Sequence, residues 1–112
     1  GTPNDLAFRA EAVKKGTAYM NVWMYVIREF EDAIGDCQQG CIDCNDDPVH
    51  AWDEGVAFYT GSLHGQEPNT NSSGYLIYSL ANKRCQNFRT CGAQGNEATG
   101  NSFVNRMLFD LF

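Results

Sequence analysis

Basic residues are scarce in this chain of 112 residues, and they do not cluster. Eight lysines and arginines stand against fourteen aspartates and glutamates, which gives a net charge of −6. A protein that tracks nucleic-acid phosphates or an anionic membrane surface needs a basic patch or stripe. We therefore expect neither nucleic acid nor an anionic membrane among its partners.

Long apolar runs and catalytic signatures are also missing. The apolar runs are only a few residues long, whereas a transmembrane helix needs roughly 20 apolar residues. The chain has no Gly-x-Ser-x-Gly elbow, no His-Glu-x-x-His pair and no phosphate-binding glycine loop. We expect no transmembrane segment and no enzyme activity.

Strand-like alternation is absent, and apolar residues recur instead with a helical period in four stretches. Asn4 or Asp5 is the expected cap of the first helix. The approximate bounds of the four helices are Leu6–Gly35, Pro48–Thr60, Gly74–Arg89 and a last helix that ends at Phe112. This pattern predicts an all-α fold: a single four-helix, bundle-like domain over residues 1–112, with disulfide-stapled loops.

Three apolar segments carry further expectations. Residues 18–27 are apolar nearly all round, which predicts a central position in the bundle. Trp52, Val56, Tyr59 and Leu63 form a stripe that we assign to the core. The chain ends on apolar residues, 107–112, and begins with glycine rather than methionine. We expect a processed or partial chain whose apolar end meets another copy or the rest of a longer parent.

Five cysteines are many for a chain of this length: Cys37, Cys41, Cys44, Cys85 and Cys91. Two disulfides with one thiol left over, or a third bridge to another chain, are the favoured interpretation. The alternative is a zinc site that joins the pair at 41 and 44 to the pair at 85 and 91, but the wider second gap is unusual for zinc. Proximity along the chain favours Cys85 with Cys91, and Cys37 with Cys41 or Cys44.

Asn71 begins the tripeptide Asn71-Ser72-Ser73, an acceptor sequence for N-glycosylation in a polar loop. Such sites are used in secreted proteins. Together with the cysteines, this tripeptide predicts a secreted, periplasmic or cell-surface location.

The stretch PVHAWDEGVAFYTGS, residues 48–62, contains the densest chemistry of the chain. His50 and Glu54 are four residues apart and share one helix face, and Asp53 lies at its edge. Such a pair can chelate one cation, and imidazole with carboxylate oxygens suits iron, zinc or manganese. The opposing interpretation is an ordinary solvated face in which His50 only hydrogen-bonds an acid.

Further ligands are expected from the end of the first helix, because a short connection brings that end beside His50. The candidates there are Glu29, Glu31 and Asp32. The Glu-x-x-His spacing of di-iron bundles is absent, so we do not expect an oxidase centre of that type. A tyrosine ligand to iron(III) is conceivable, but the sequence selects none.

Several segments resemble an algal family of secreted, iron-assimilating, high-CO2-inducible periplasmic proteins. The similar segments are 8–12, 15–19, 21–27, 31–34, 50–61 and 78–85, together with Cys91. The segment His50-Ala51-Trp52-Asp53-Glu54 also resembles one helix of bacterial imelysin-like proteins, several of which are linked to iron. The first resemblance implies extracellular location, disulfides, a role in iron limitation or at the cell surface, and a chain that continues beyond Phe112.

Two functions follow as expectations. The first is a secreted or cell-surface helical domain that binds or concentrates iron, with His50, Asp53 and Glu54 among the ligands. The second is a structural module of an extracellular assembly, such as a fibre, coat or wall component, which binds no metal.

Overall fold

A computed structural model describes residues 2–44, 47–61 and 75–112. Within these ranges the chain forms four helices and no strand, which confirms the predicted all-α class. The helices are α1 Pro3–Gln38, α2 Asp47–Thr60, α3 Leu76–Phe88 and α4 Phe103–Phe109. None of the helices described is both long enough and apolar enough to pass through a bilayer.

Helix α1 is longer than its sequence pattern predicted at both ends. Thr2, rather than Asn4 or Asp5, is its N-cap, and the Thr2 hydroxyl and the Asp5 carboxylate each accept a backbone N–H of the other residue. Pro3 occupies the first turn, where no N–H is needed. At the other end the helix continues through Gln38, so residues 36–38 are helical and not part of a loop.

The first half of α1 extends beyond the other helices. Every described residue from position 2 to position 18 is exposed, including Phe8, whose exposed fraction is 76%. The second half packs against α2 and, to a smaller extent, α3. Within the described residues, α2 and α3 therefore pack against the second half of α1, and its first half extends past them.

Val26, Tyr59 and Tyr78 are buried at the centre of the core. Seven partly buried side chains pack around them: Val22, Trp23, Phe30, Ile77, Leu108, Phe109 and Phe112. Most of this cluster consists of aromatic rings in tilted or edge-to-face contact, an arrangement that aromatic quadrupoles favour.

The prediction of which segments form the core is only partly confirmed. Residues 18–27 are not buried all round: Val26 is buried, but Met20, Met24 and Ile27 are exposed. Only one side of α1 meets the other helices, so the second apolar side stays uncovered. In the stripe on α2, Tyr59 is buried, Trp52 and Val56 are half-buried, and Leu63 lies outside the described residues.

The apolar end of the chain packs against its own core. The Phe112 ring lies 5.7 Å from the Phe30 ring and 5.8 Å from the Tyr59 ring, measured between centroids. Phe109 contacts both Tyr78 and Phe112. Two aromatic residues of the segment expected to meet a partner therefore serve the core, while Leu111 remains exposed.

A buried network of polar side chains fastens α4 to the rest of the molecule. The Tyr59 hydroxyl donates a hydrogen bond to Asn105 Oδ1 at 2.6 Å. The amide nitrogen of Asn105 donates to the Tyr78 carbonyl at 3.0 Å and to Asn82 Oδ1 at 2.9 Å. Ser102 caps α4 by accepting the Asn105 N–H, and its own N–H donates to Asn82 Oδ1. These bonds satisfy polar groups that would otherwise be costly to bury.

Two disulfides are present, and one matches the predicted pairing. Cys85 on α3 bonds Cys91, and both are almost completely buried. The expected bond from Cys37 to Cys41 or Cys44 is wrong: Cys41 and Cys44 bond each other, with Cα atoms 5.1 Å apart, and Cys37 is free and exposed. The reason is that α1 continues past Cys37, whereas Cys41 and Cys44 share the turn that follows.

Candidate functional site

An acidic groove lies between the end of α1 and the start of α2. Its cavity has a volume of about 480 Å³. Six carboxylates and one imidazole line it: Glu29, Glu31, Asp32, Asp36, Asp47, Glu54 and His50. No lysine or arginine is among its lining residues, so the groove has a negative potential that attracts cations.

Helical spacing explains how these side chains converge. On α2, His50 and Glu54 are one turn apart and both face the groove, as the sequence predicted. On α1, Asp32 and Asp36 have the same four-residue spacing. The connection between the two helices is short, so the last turns of α1 come beside the first turns of α2.

The groove contains five of the six residues predicted as metal ligands, and Asp53 is the exception. Asp53 precedes Glu54 by one residue, which turns its position about 100° around the helix axis. It lines a different cavity together with Ile34 and Trp52. Asp53 therefore does not line this groove, and its role as a ligand stays a prediction.

Two acidic residues of the groove were not among the predicted ligands. Asp36 lies just after Gly35, the predicted end of the first helix, but α1 continues through it and places it one turn after Asp32. Asp47 lies just before Pro48, the predicted start of the second helix, yet it is the first residue of α2 and lines the groove.

Tyr25 adds a phenol beside these acids. Its hydroxyl hydrogen-bonds Glu29, and this bond, with the negative charges of Glu29 and Glu54, raises the pKa of Tyr25 above its ordinary value. The Tyr25 ring also contacts the Phe58 ring on α2, with centroids 4.6 Å apart. Tyr25 therefore senses the charge of carboxylates from both helices.

The carboxylates are not gathered into a preformed metal site. Among the described residues, no group of three or more histidine, cysteine, aspartate or glutamate side chains is placed to hold a metal ion. Asp32 is also engaged by Arg28, whose Nε lies 3.8 Å from Asp32 Oδ2. Both side chains are largely exposed, so this ion pair is weak and easily exchanged.

A second cavity, of about 310 Å³, lies on the other side of the same helix pair and is almost entirely apolar. Its lining residues are Ala33, Ile34, Cys37, Ile42, Pro48, Val49, Trp52 and Asp53. The free thiol of Cys37 thus borders an apolar cavity rather than the acidic groove. The predicted glycosylation site at Asn71 lies outside the described residues.

Comparison of the chain with protein-family models, with curated proteins and with solved structures finds no match. The resemblance to the algal iron-assimilating family therefore stays an expectation from the sequence.

Proposed function

We propose that this protein is a disulfide-bonded helical domain, secreted or held at the cell surface, which binds iron in its acidic groove. One observation carries the proposal: His50, Glu54, Glu29, Glu31 and Asp32, all selected from the sequence, line one cavity. The two disulfides support a non-reducing compartment. In this proposal the protein binds its metal as cargo and is not an enzyme.

The donor set suits a cation that accepts oxygen ligands and one imidazole. Carboxylates and imidazole together coordinate iron, zinc and manganese, and the excess of carboxylates favours the harder, more highly charged ion. The resemblance to iron-assimilating proteins adds weight to iron over the other two metals.

Binding requires side chains to move, because the ligands are not gathered in the absence of metal. His50 and Glu54 are exposed, and rotation about their χ angles is sufficient to bring their heads together. Ordering each long side chain costs up to about 2 kcal/mol in rotamer freedom. The proposal therefore predicts moderate affinity and exchangeable metal rather than a permanent structural ion.

The direct test is iron retention by purified protein and single-residue variants. Ferric citrate is added, excess iron is removed by gel filtration, and iron per chain is measured by plasma mass spectrometry. We expect His50→Ala and Glu54→Gln to lose most of the iron that the unaltered protein retains. Asp53→Asn is the matched control, because it removes the same charge one residue away but outside the groove.

Two results would contradict the proposal. Equal losses in Glu54→Gln and Asp53→Asn would indicate general attraction to an acidic surface, not a site. Retention of zinc or manganese in preference to iron, in parallel samples with those metals, would refute iron as the ligand.

The alternative function is a structural module of an extracellular assembly without metal. Its support is the uncovered apolar side of α1 and the free, exposed Cys37, both of which suit contacts between chains. Light scattering distinguishes the two functions: large metal-free oligomers support the module, and a small iron-retaining species supports the iron-binding domain.

A further inference from the structure

Helix α1 has a second apolar face, opposite the one that packs into the core. Along it, residues recur at alternating spacings of four and three, and every one of them is exposed. We call this face the seam: Leu6, Ala10, Val13, Thr17, Met20, Met24, Ile27, Glu31 and Ile34. The exposed fractions of its large apolar side chains range from 41% at Ile27 to 69% at Val13.

The spacing of the seam is that of a coiled coil. Alternation of four and three gives a seven-residue period, which keeps an apolar stripe facing one partner helix along its whole length. From Leu6 to Ile34 the seam covers four heptad repeats, roughly 42 Å at 1.5 Å per residue. Sustained periods of three to four heptads are the usual signature of helix pairing.

Among the described residues, the other helices leave every side chain of the seam exposed. Contacts with them use Trp23, Val26 and Phe30, which lie on the opposite side of α1. The first half of the seam also belongs to the part of α1 that extends past the other described helices. A second helix therefore has access to the stripe from Leu6 to Ile27, and at the far end of the stripe it reaches Glu31 and Ile34 at the edges of the two cavities.

We infer that the seam pairs with the same seam of a second copy, with the two α1 helices antiparallel. An antiparallel heptad pairing brings the two alternating sets of positions opposite each other. Each facing pair joins a residue of one copy to a residue of the other: Thr17 with Met20, Val13 with Met24, Ala10 with Ile27, and Leu6 with Glu31. Each pair occurs twice about the twofold axis. Small side chains thus meet large ones, which fills the interface evenly.

Charge selects this orientation over the parallel one. Glu31 is the only charged residue in the seam. In a parallel dimer it would face Glu31 of the second copy, and like charges at an interface are repulsive. In the antiparallel dimer it faces Leu6 and lies within one turn of Arg9 of the second copy. A parallel pairing would also stack Ala10 on Ala10 and Thr17 on Thr17, leaving gaps.

The dimer interface is expected to bury only a modest surface area. Two helices that meet along roughly 42 Å, each about 10 Å wide, remove on the order of 1,000 Å² from water in total. That is the low end for a specific interface, so we expect reversible association at micromolar concentrations.

Sedimentation equilibrium of the purified chain tests the dimer. Met24→Lys places an ammonium group in the seam of both copies, and we expect association to weaken about 100-fold because burial of an unpaired charge is unfavourable. Met107→Lys on α4 is the matched control, since that methionine is also exposed but lies away from the seam. Because neither methionine is buried, circular dichroism should show both variants folded. A chain that stays monomeric at millimolar concentration, or equal weakening by both variants, overturns the inference.

Disulfide trapping tests the orientation. In a Cys37→Ser background, Ala10→Cys and Ile27→Cys chains are prepared separately and then mixed under air, dioxygen being the oxidant for each new bond. The antiparallel seam predicts cross-links between the two different variants. Cross-links of each variant only with itself would establish a parallel pair. Dimers that form without any cross-link would show that the two copies pair through a face other than the seam. Either result overturns the arrangement. The iron-binding variants at His50 and Glu54 should dimerise normally, so the failure of one proposal is distinguishable from the failure of the other.

Discussion

Replacement of Tyr59 by phenylalanine removes one oxygen atom from the centre of the molecule and leaves the ring in place. Tyr59 is 1% exposed, and its hydroxyl donates to Asn105 Oδ1 at 2.6 Å. In the variant this amide oxygen remains buried without that donor. A buried polar group that loses its partner costs about 1–3 kcal/mol, so we expect the free energy of unfolding to fall by about 2 kcal/mol.

Asn105→Leu is expected to cost more, because Asn105 makes three side-chain hydrogen bonds. Its loss removes the partner of the Tyr59 hydroxyl and one donor each from Tyr78 O and Asn82 Oδ1. We expect a loss of about 3–4 kcal/mol, a large part of the roughly 5–15 kcal/mol typical of a domain. The double variant should lose at least about 1 kcal/mol less than the two single losses together, since it leaves neither the hydroxyl nor the amide unpaired.

Urea denaturation followed by far-ultraviolet circular dichroism measures these differences. Tyr75→Phe is the matched control, because Tyr75 is 65% exposed and should change the midpoint little. The reasoning fails if Tyr59→Phe is as stable as Tyr75→Phe, or if the Tyr59 and Asn105 losses simply add. Either result would mean that the polar network does not hold α4 on the core.

Three further predictions concern the disulfide, two glycines and alkaline pH. Removal of the Cys85–Cys91 bond by double alanine substitution should lower the free energy of unfolding in urea titrations by about 2 kcal/mol from loop entropy alone, given the separation of six residues. Gly16→Ala should stabilise the protein by about 1 kcal/mol in urea titrations, because its Cβ meets open space. Gly55→Ala should destabilise it instead, because its Cβ would lie 2.6 Å from an aromatic ring carbon of α1. Burial raises the pKa of Tyr59 above its ordinary value of 10.0, so the unfolded chain releases this proton first. Stability should therefore fall as the pH rises above 10, and less steeply in Tyr59→Phe; an identical slope would contradict this cause.

The parts of the fold that could be predicted are those that depend on local spacing. The period of apolar residues identified all four helices, and Pro48 marked the start of α2 to within one residue. The short separation of Cys85 and Cys91 indicated their bond. The four-residue spacing of His50 and Glu54 predicted that both lie on one helix face, and in the structure both line the groove.

The parts that could not be predicted depend on which side of a helix is covered. Residues 18–27 are apolar nearly all round, so their pattern does not reveal that only one side meets the core. The pairing of Tyr59 with Asn105 joins residues 46 positions apart, and no local signal indicates it. Phe112 was assigned to a partner surface because apolar chain ends are unusual, whereas its ring packs on Phe30 and Tyr59.

The long first helix is one element in geometry, but its two halves should differ in amide hydrogen exchange. In the monomer, the backbone hydrogen bonds of the first half are protected only by helix propensity and the Thr2 cap, so these amides exchange through local fraying. Around Val26, the same kind of bond opens only when the aromatic core comes apart. The boundary between fast and slow exchange should fall near Tyr19, the first half-buried residue of the helix.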